Sequence, residues 1–396
     1  MDQMTGFEAN RRDWLRWTLG GLAALGGGLA RPWIVGTGAL ASQDLQRLQV
    51  LQDDPLNAET PASIFEEFLT PNDLFFVRNH LEPPPPERLE GWRLTVSGLV
   101  DRRLNLGLED LEGFEPVTLT AVLQCSGNGR AFHEPAVGGV PWVRGAVGNA
   151  EWSGVRLRDL LERAGVADES QHIHLHGSDL PTNQEPYRFI RSIPIERAMD
   201  ADTMIATRMN GEPLPYQHGG PLRLVVPNWF GNHWLKWLER VVPARDEAPG
   251  HYMEDAYRVP PEPVEPGAPI DPAAMVPVTI MPVKSLIAMP ITGARLPAGR
   301  GEIVGVAWSG SGPIDQVEVA LGAPDAWQPA TLFGPDRPHA WRLWRIFWKA
   351  PPGRHVLRCR ATDTAGNVQP EATPWNPKGY LWNANDRVEV EVIAKG

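Results

Sequence analysis

Residues 259–272, VPPEPVEPGAPIDP, decide the fold. Six of these fourteen positions are proline, and no hydrophobic period runs through them. Proline fixes φ and removes a backbone donor, so such a run carries neither a helix nor an inner strand. It reads as a polyproline-type linker and predicts a domain boundary. The sequence pattern changes across it.

On the N-terminal side the pattern is mixed. WRLTVSGLV (92–100) and VTLTAVLQC (117–125) alternate like strands. VRLRDLLERAG (155–165) places Leu157, Leu160, Leu161 and Ala164 on one helical face, with Gly165 where a helix stops. Asn210-Gly211 signals a hairpin turn. On the C-terminal side only strand signals remain: VGVAWSG (304–310), DQVEVAL (315–321), HVLRCRATD (355–363) and DRVEVEVIA (386–394). The expected architecture is an α+β domain over 42–258, a linker over 259–272, and an all-β, immunoglobulin-like sandwich over 273–396. Cys359, inside the third of the late runs, is expected to be a small buried hydrophobe.

The chain has 396 residues, enough for two domains or three. With 42% hydrophobic and 21% charged residues it is globular. Its 39 glycines and 40 prolines favour loops and strands over long helices. Two cysteines make neither a disulfide framework nor a zinc signature. A net charge of −11 argues against nucleic-acid binding and favours a basic partner. Residues 1–41 have Arg11-Arg12, a modest Gly/Ala/Leu run and a small-residue site at Ala39-Leu40-Ala41. That pattern resembles a twin-arginine export signal and predicts a periplasmic protein, exported folded; an uncleaved signal would tether it to the membrane instead. Glycines, Arg31 and Pro32 interrupt the run, so no stable span is expected in the processed chain.

The chemistry centres on TAVLQCSGNGR (120–130). Val117, Leu119, Ala121, Leu123 and Cys125 fall on one strand face, and Ser126 to Gly129 must then turn sharply. Three readings of Cys125 stand open: a buried thiol, a nucleophile, or a metal ligand. Elsewhere, cationic side chains sit in apolar, aromatic surroundings. FFVRNH (75–80) has Arg78 and His80, YQHGGPLRLVVP (216–227) has His218 and Arg223, and FGNHWLKWLERV (230–241) has His233 and Lys236. Arginine in such a setting usually holds an anion, so an anionic cofactor or substrate is expected. HIHLH (172–176) puts three histidines on one strand face, but the outer two are roughly 13 Å apart. They cannot share one ion, and a solvent-facing or edge row is expected. Asp179, past the following turn, is better placed to reach a ligand.

These segments, in this order, resemble the sulfite oxidase family of molybdenum enzymes. QCSGNGR, GVPWVRGA, WSGVRLRDLL, NGEPLPYQHGGPLRLVVP, LKWLERV, HYMEDAYR and GNVQPEATPWNPKGYLWNANDRV join FFVRNH in the match, which spans about residues 45–396. The resemblance implies a molybdopterin-binding domain followed by a dimerisation domain. It implies one pterin whose dithiolene holds molybdenum, with Cys125 as the protein's thiolate ligand. Phe76, Val77, Arg78, Asn79, His80, Asp179, His218, Arg223, Trp234, Leu235 and Lys236 would hold the pterin and its phosphate. Arg78, Arg130, Trp142 and Tyr257 would surround the substrate oxyanion. Lys378 stands where animal members have an arginine from the second domain, and it lacks that residue's bidentate fork. The implied reaction is two-electron oxygen-atom transfer, oxidising sulfite to sulfate. No haem motif is present, so electrons would leave to a separate c-type cytochrome. Two other readings remain: the same cofactor acting on another sulfur oxyanion or an S-oxide, and a cofactor-free two-domain binding protein with a structural Cys125.

Overall fold

The computed structural model describes residues 47–394, except 184 and 324. The export signal read over 1–41 lies outside the described residues. No helix among the described residues is long and apolar enough to cross a membrane.

The N-terminal part is built from two mixed-length sheets. One runs Glu212–Pro213, Met204–Met209, Val147–Arg156, Pro116–Gln124, with Arg223–Val225 also pairing on Met204–Met209, all antiparallel. The other runs Leu104–Leu106, Leu94–Val96, Leu238–Ala244, His172–Gly177, Ile190–Pro194. Its only parallel pair is Leu94–Val96 with Leu238–Ala244. The helix Leu157–Ala164 buries Leu157, Leu160, Leu161 and Ala164, the four residues its period assigns to one face, and stops at Gly165. Asn210 and Gly211 take positive φ between two paired strands, as a two-residue hairpin demands.

His172, His174 and His176 do share one face, half-buried, alternating with buried Ile173 and Leu175. Their strand is not at an edge: it pairs on both sides, with Leu238–Ala244 and Ile190–Pro194. The edge reading therefore fails, because a strand's place in a sheet depends on long-range pairing that its own pattern does not encode.

The C-terminal part packs two sheets face to face. One holds Lys284–Met289, Gly299–Trp308, Arg342–Ala350 and Thr331–Phe333; the other holds Ala294–Pro297, Asp386–Ile393, Gly353–Asp363, Ile314–Leu321 and Trp327–Pro329. Between them lies a core containing Ile287, Ile303, Val319, Trp344, Leu357, Val388 and Cys359, the last fully buried as expected. In the first sheet, most of Lys284–Met289 and of Gly299–Trp308 is buried on both faces. Leu286, Ala288, Val304, Val306 and Trp308 point the other way and join Phe65, Val122, Val147, Phe230 and Tyr257 of the N-terminal part in one apolar seam. Alternation along these strands thus divides two cores rather than core from solvent.

The proline-rich stretch does not stand off as an extended spacer. Arg258–Val259 pairs antiparallel with Val276–Pro277, closing residues 260–275 into a loop. Arg258 reinforces the closure by donating to the carbonyls of Met253 and Met275 and to Glu247. Val278 N donates to the Tyr257 carbonyl at 2.8 Å. The closure therefore pins the backbone on either side of Tyr257, whose φ of 58° is unusual for a bulky residue.

Candidate active site

The strand Pro116–Gln124 ends at a cleft with about 730 Å³ of space, and Cys125 is the next residue. Its thiol is free and half-buried on the cleft wall. The loop after it is tightly held. Cys125 N donates to Ala146 O at 2.9 Å, and Asn128 N to Cys125 O at 3.0 Å. Gly129 has φ +101°, and a Cβ there would lie 2.4 Å from the Trp382 ring, so no other residue fits. Trp382 belongs to the C-terminal part. That part also supplies Leu381 N to Ser126 O (3.1 Å), Lys284 Nζ to Asn128 O (3.2 Å) and Trp308 Nε1 to Gln124 Oε1 (2.9 Å). The second domain therefore fixes the position of the thiol.

Another part of the wall is cationic. Arg223 is 4% exposed and donates to the carbonyls of His218 (2.9 Å) and Trp234 (3.0 Å), between the rings of Trp152 and Trp234. Burial pulls its pKa down to about 9. Lys236 Nζ donates to Gln217 O at 3.1 Å and to Asn79 Oδ1, and lies 4.2 Å from the Trp237 ring centre. Burial first, and then Arg223, lowers its pKa well below the usual lysine value. Gly219, at φ +101°, lets this lysine in: a Cβ there would sit 2.7 Å from the Lys236 Cβ. Asp179 stands in the same wall, its carboxyl pushed up to about 7 chiefly by burial.

The remaining wall is an arginine–histidine–tyrosine cluster. Arg78 donates through Nη1 to Asn57 Oδ1 (3.0 Å) and through Nη2 to His80 Nε2 (2.8 Å). The Tyr257 hydroxyl meets the same Nε2 at 2.6 Å. Arginine is always a donor, so Nε2 accepts and the ring is neutral with its proton on Nδ1. Burial, then the charge of Arg78, keeps the His80 pKa well below its ordinary value. Burial also raises the Tyr257 hydroxyl well above the usual range, so it stays protonated.

His218 is buried, donates from Nε2 to Asn72 O at 2.9 Å, and has its pKa lowered to about 3, mainly by burial. The native state thus stays unprotonated there while the unfolded chain takes a proton below about 6.5. The stability this contributes is complete above pH ~6.5 and is lost as pH falls toward 3. His80 and His233 act in the same direction. Asp179 and Glu59, raised to about 7, act oppositely: they favour the native state at low pH and lose that effect as pH rises through 7. His218→Gln isolates one term. Its stability deficit relative to the parent should shrink by about 2 kcal/mol between pH 7.5 and pH 5. Urea midpoints at the two pH values measure this, and a constant deficit would contradict it.

Of the residues singled out in the sequence, Phe76, Arg78, Asn79, His80, Cys125, Asp179, His218, Arg223, Trp234, Leu235, Lys236 and Tyr257 line the cleft. Four do not. Val77 is buried and its backbone pairs with Ala58, so its side chain faces the core. Trp142 is fully buried in the main core. Arg130 gives Nη1 to Val140 O (2.9 Å) and Nε to Lys378 O (3.2 Å), under the Tyr380 ring. Two of its donors are taken by carbonyls and it is not on the cleft wall, so it acts there through its charge, which reaches His80. Lys378 turns outward to Asp255, Nζ to Oδ1 at 3.1 Å. Residues missed in the sequence include Ser126, Gln217 and Trp237 on the wall, and Arg191 behind it. Arg191 sits in the apolar run FIRSIP, the same signal that marked Arg223.

The donor set fits an anionic, thiolate-bound metal cofactor. Among the described residues Arg78, Arg223 and Lys236 make no ion pair with a carboxylate, and Arg223 Nε and Ser126 Oγ are buried without a hydrogen-bond partner. Buried cations without counterions are costly unless an anion joins them. A half-buried thiol lining the same cleft supplies a soft ligand.

Comparison with known proteins bears on both parts of the chain. The family described as "Oxidoreductase molybdopterin binding domain" matches residues 80–252, and "Mo-co oxidoreductase dimerisation domain" matches 276–393. Sulfite oxidase of Gallus gallus is 38% identical over 354 residues, 85% of this chain and 76% of its own length. The mitochondrial sulfite oxidase of Homo sapiens is 38% identical over 362 residues, 87% of this chain and 66% of its own. The chain thus spans about two thirds of the human protein. The crystal structure of the sulfane dehydrogenase SoxCD from Paracoccus pantotrophus superposes with a TM-score of 0.77 at 28% identity, covering 91% of this chain and 95% of that one.

Proposed function

Because the chain belongs to the sulfite oxidase family of molybdenum oxidoreductases, we propose that it oxidises sulfite to sulfate and passes the electrons to a separate acceptor. One observation carries this reading: the free Cys125 thiol lines a single cleft with Arg78, Arg223 and Lys236, and none of these cations makes an ion pair with a carboxylate among the described residues. When bound, the molybdenum cofactor supplies two-electron oxygen-atom transfer.

The protein's own contributions follow from its geometry. Cys125 holds the metal, on a loop fixed from both domains. Arg223, Lys236 and His218 hold the anionic end of the pterin, and Asp179 its polar edge. Arg78 binds the substrate oxyanion, with Arg130 adding charge from behind. The neutral His80 accepts from both Arg78 and the Tyr257 hydroxyl, holding both donors in place. Preorganised donors of this kind orient an anion without reorganisation cost at the moment of reaction. Lys378, held at Asp255, contributes charge at the domain junction.

The acceptor is a c-type cytochrome, and the acidic balance of the chain suits a basic one. The domains are 42–258 and 273–396, the second immunoglobulin-like and dimerising. The protein works in the periplasm after twin-arginine export directed by residues 1–41. The test is steady-state turnover on protein of measured molybdenum content, with sulfite, thiosulfate and an S-oxide compared under one artificial acceptor. Sulfite-dependent turnover proportional to molybdenum supports the reading. Preference for a sulfane-sulfur donor would move the function toward that of the Paracoccus relative. Molybdenum-free protein from a host that makes the cofactor would favour a binding module.

A further inference from the structure

Arg191 comes from the edge strand Ile190–Pro194 and is 1% exposed. Its guanidinium lies 5.1 Å from the centre of the Tyr257 ring. Nη2 lies 3.2 Å from His233 Nε2, an atom that also sits 3.3 Å from the Val278 carbonyl, while Nε and Nη1 have no hydrogen-bond partner in the protein. No carboxylate forms an ion pair with it among the described residues. Tyr380 stacks on the same tyrosine at 5.5 Å and 14°. Tyr257 is therefore gripped by a cation and a second ring, and its hydroxyl is delivered to His80 Nε2.

A buried guanidinium with no counterion needs compensation. The face of Tyr257 gives part of it. Glu247 adds attraction from a distance, and a negative charge in the cleft that Tyr257 lines would add more. Burial lowers the Arg191 pKa only to about 10, so it stays charged at neutral pH. With Arg78 it brackets the His80–Tyr257 pair, and both charges act on His80.

We propose that Arg191 is a positioning residue for the substrate anion: it clamps Tyr257 on His80 and supplies positive charge through the tyrosine ring, setting affinity for the oxyanion rather than the rate of its oxidation. This rests on the sulfite-oxidising reading of the same site. A charge acting from behind the wall attracts an anion before and during reaction to similar extents, so its loss appears in KM.

The experiment compares the parent with Arg191→Met and Arg191→Lys, each of verified molybdenum content. Arg191→Met should raise KM for sulfite about tenfold with kcat within about threefold. Arg191→Lys, keeping the charge, should stay within about threefold of the parent in both. The inhibition constant of sulfate should follow the same order. If Arg191→Met folds poorly, Arg191→Gln, which keeps a donor to His233, should show the same rise. An unchanged KM in a folded, charge-free variant overturns the proposal, as does a fall in kcat alone. So does a lysine variant as impaired as the methionine one. A parent that oxidises no sulfite defeats the functional reading instead. Calorimetric titration of sulfate into the same proteins then tests Arg191 by itself, and equal affinities would overturn the clamp.

Discussion

Cys125→Ser should leave a folded protein whose sulfite turnover has fallen by about 10³-fold or more. Replacing a residue behind a metal ligand costs about 10–100-fold, and loss of the ligand itself should exceed that. The substitution changes one atom. The bonds that hold the loop run through the backbone: Cys125 N to Ala146 O, Asn128 N to Cys125 O, and Leu381 N to Ser126 O. None depends on the sulfur, so stability should change little. What changes is the ligand. A thiolate is a soft metal ligand, whereas a serine oxygen is hard.

The same experiment separates two roles for the site. If Arg223, Lys236 and His218 hold the anionic end of the cofactor, the serine variant should still purify with much of its molybdenum and fail only in turnover. Assays of molybdenum content and sulfite-dependent acceptor reduction on one preparation give both answers. Full turnover in Cys125→Ser would remove Cys125 from the mechanism and return it to the status of a structural thiol.

How much of this was legible beforehand depends on range. The strand before Cys125 declared itself because Val117, Leu119, Ala121 and Leu123 alternate with Thr118, Thr120, Val122 and Gln124, polar but for Val122. The helix Leu157–Ala164 declared itself by its period. The cleft cations stood out because each sits among apolar neighbours in sequence, and a charge there needs a reason in space. What failed was whatever depends on how distant segments meet. Trp142 reads like a pocket wall and is core. Lys378 turns to Asp255, more than a hundred positions earlier in the chain. Arg130 is near the cleft, but its donors go to carbonyls that no local pattern could have indicated. The histidine row is inside its sheet because Leu238–Ala244 and Ile190–Pro194 flank it. Proline density signalled a break, but not that Arg258–Val259 and Val276–Pro277 would pair across it.

Lys236→Met should yield a stable protein that retains little cofactor. The ammonium group is held by Gln217 O and Asn79 Oδ1 and covers the Trp237 ring, with Arg223 close enough to lower its pKa. Two cations this near one another repel, and both lose hydration on burial, so the unliganded wall is an electrostatic liability. Methionine fills nearly the same volume without the charge, and by itself should not destabilise the fold. With an anion in the cleft the balance reverses. Removing one partner of a buried, hydrogen-bonded charge pair costs about 2–5 kcal/mol, or about 30- to 5000-fold in affinity. The expected result is a Lys236→Met protein with an unchanged or raised melting temperature as the apoprotein and sharply lower molybdenum and pterin content after purification. Any residual activity should scale with the metal that remains, because Lys236 holds the cofactor and takes no part in the substrate step. Full cofactor content in Lys236→Met would show that the cationic wall serves another ligand. A variant with normal metal and low turnover would move Lys236 from the cofactor to the substrate.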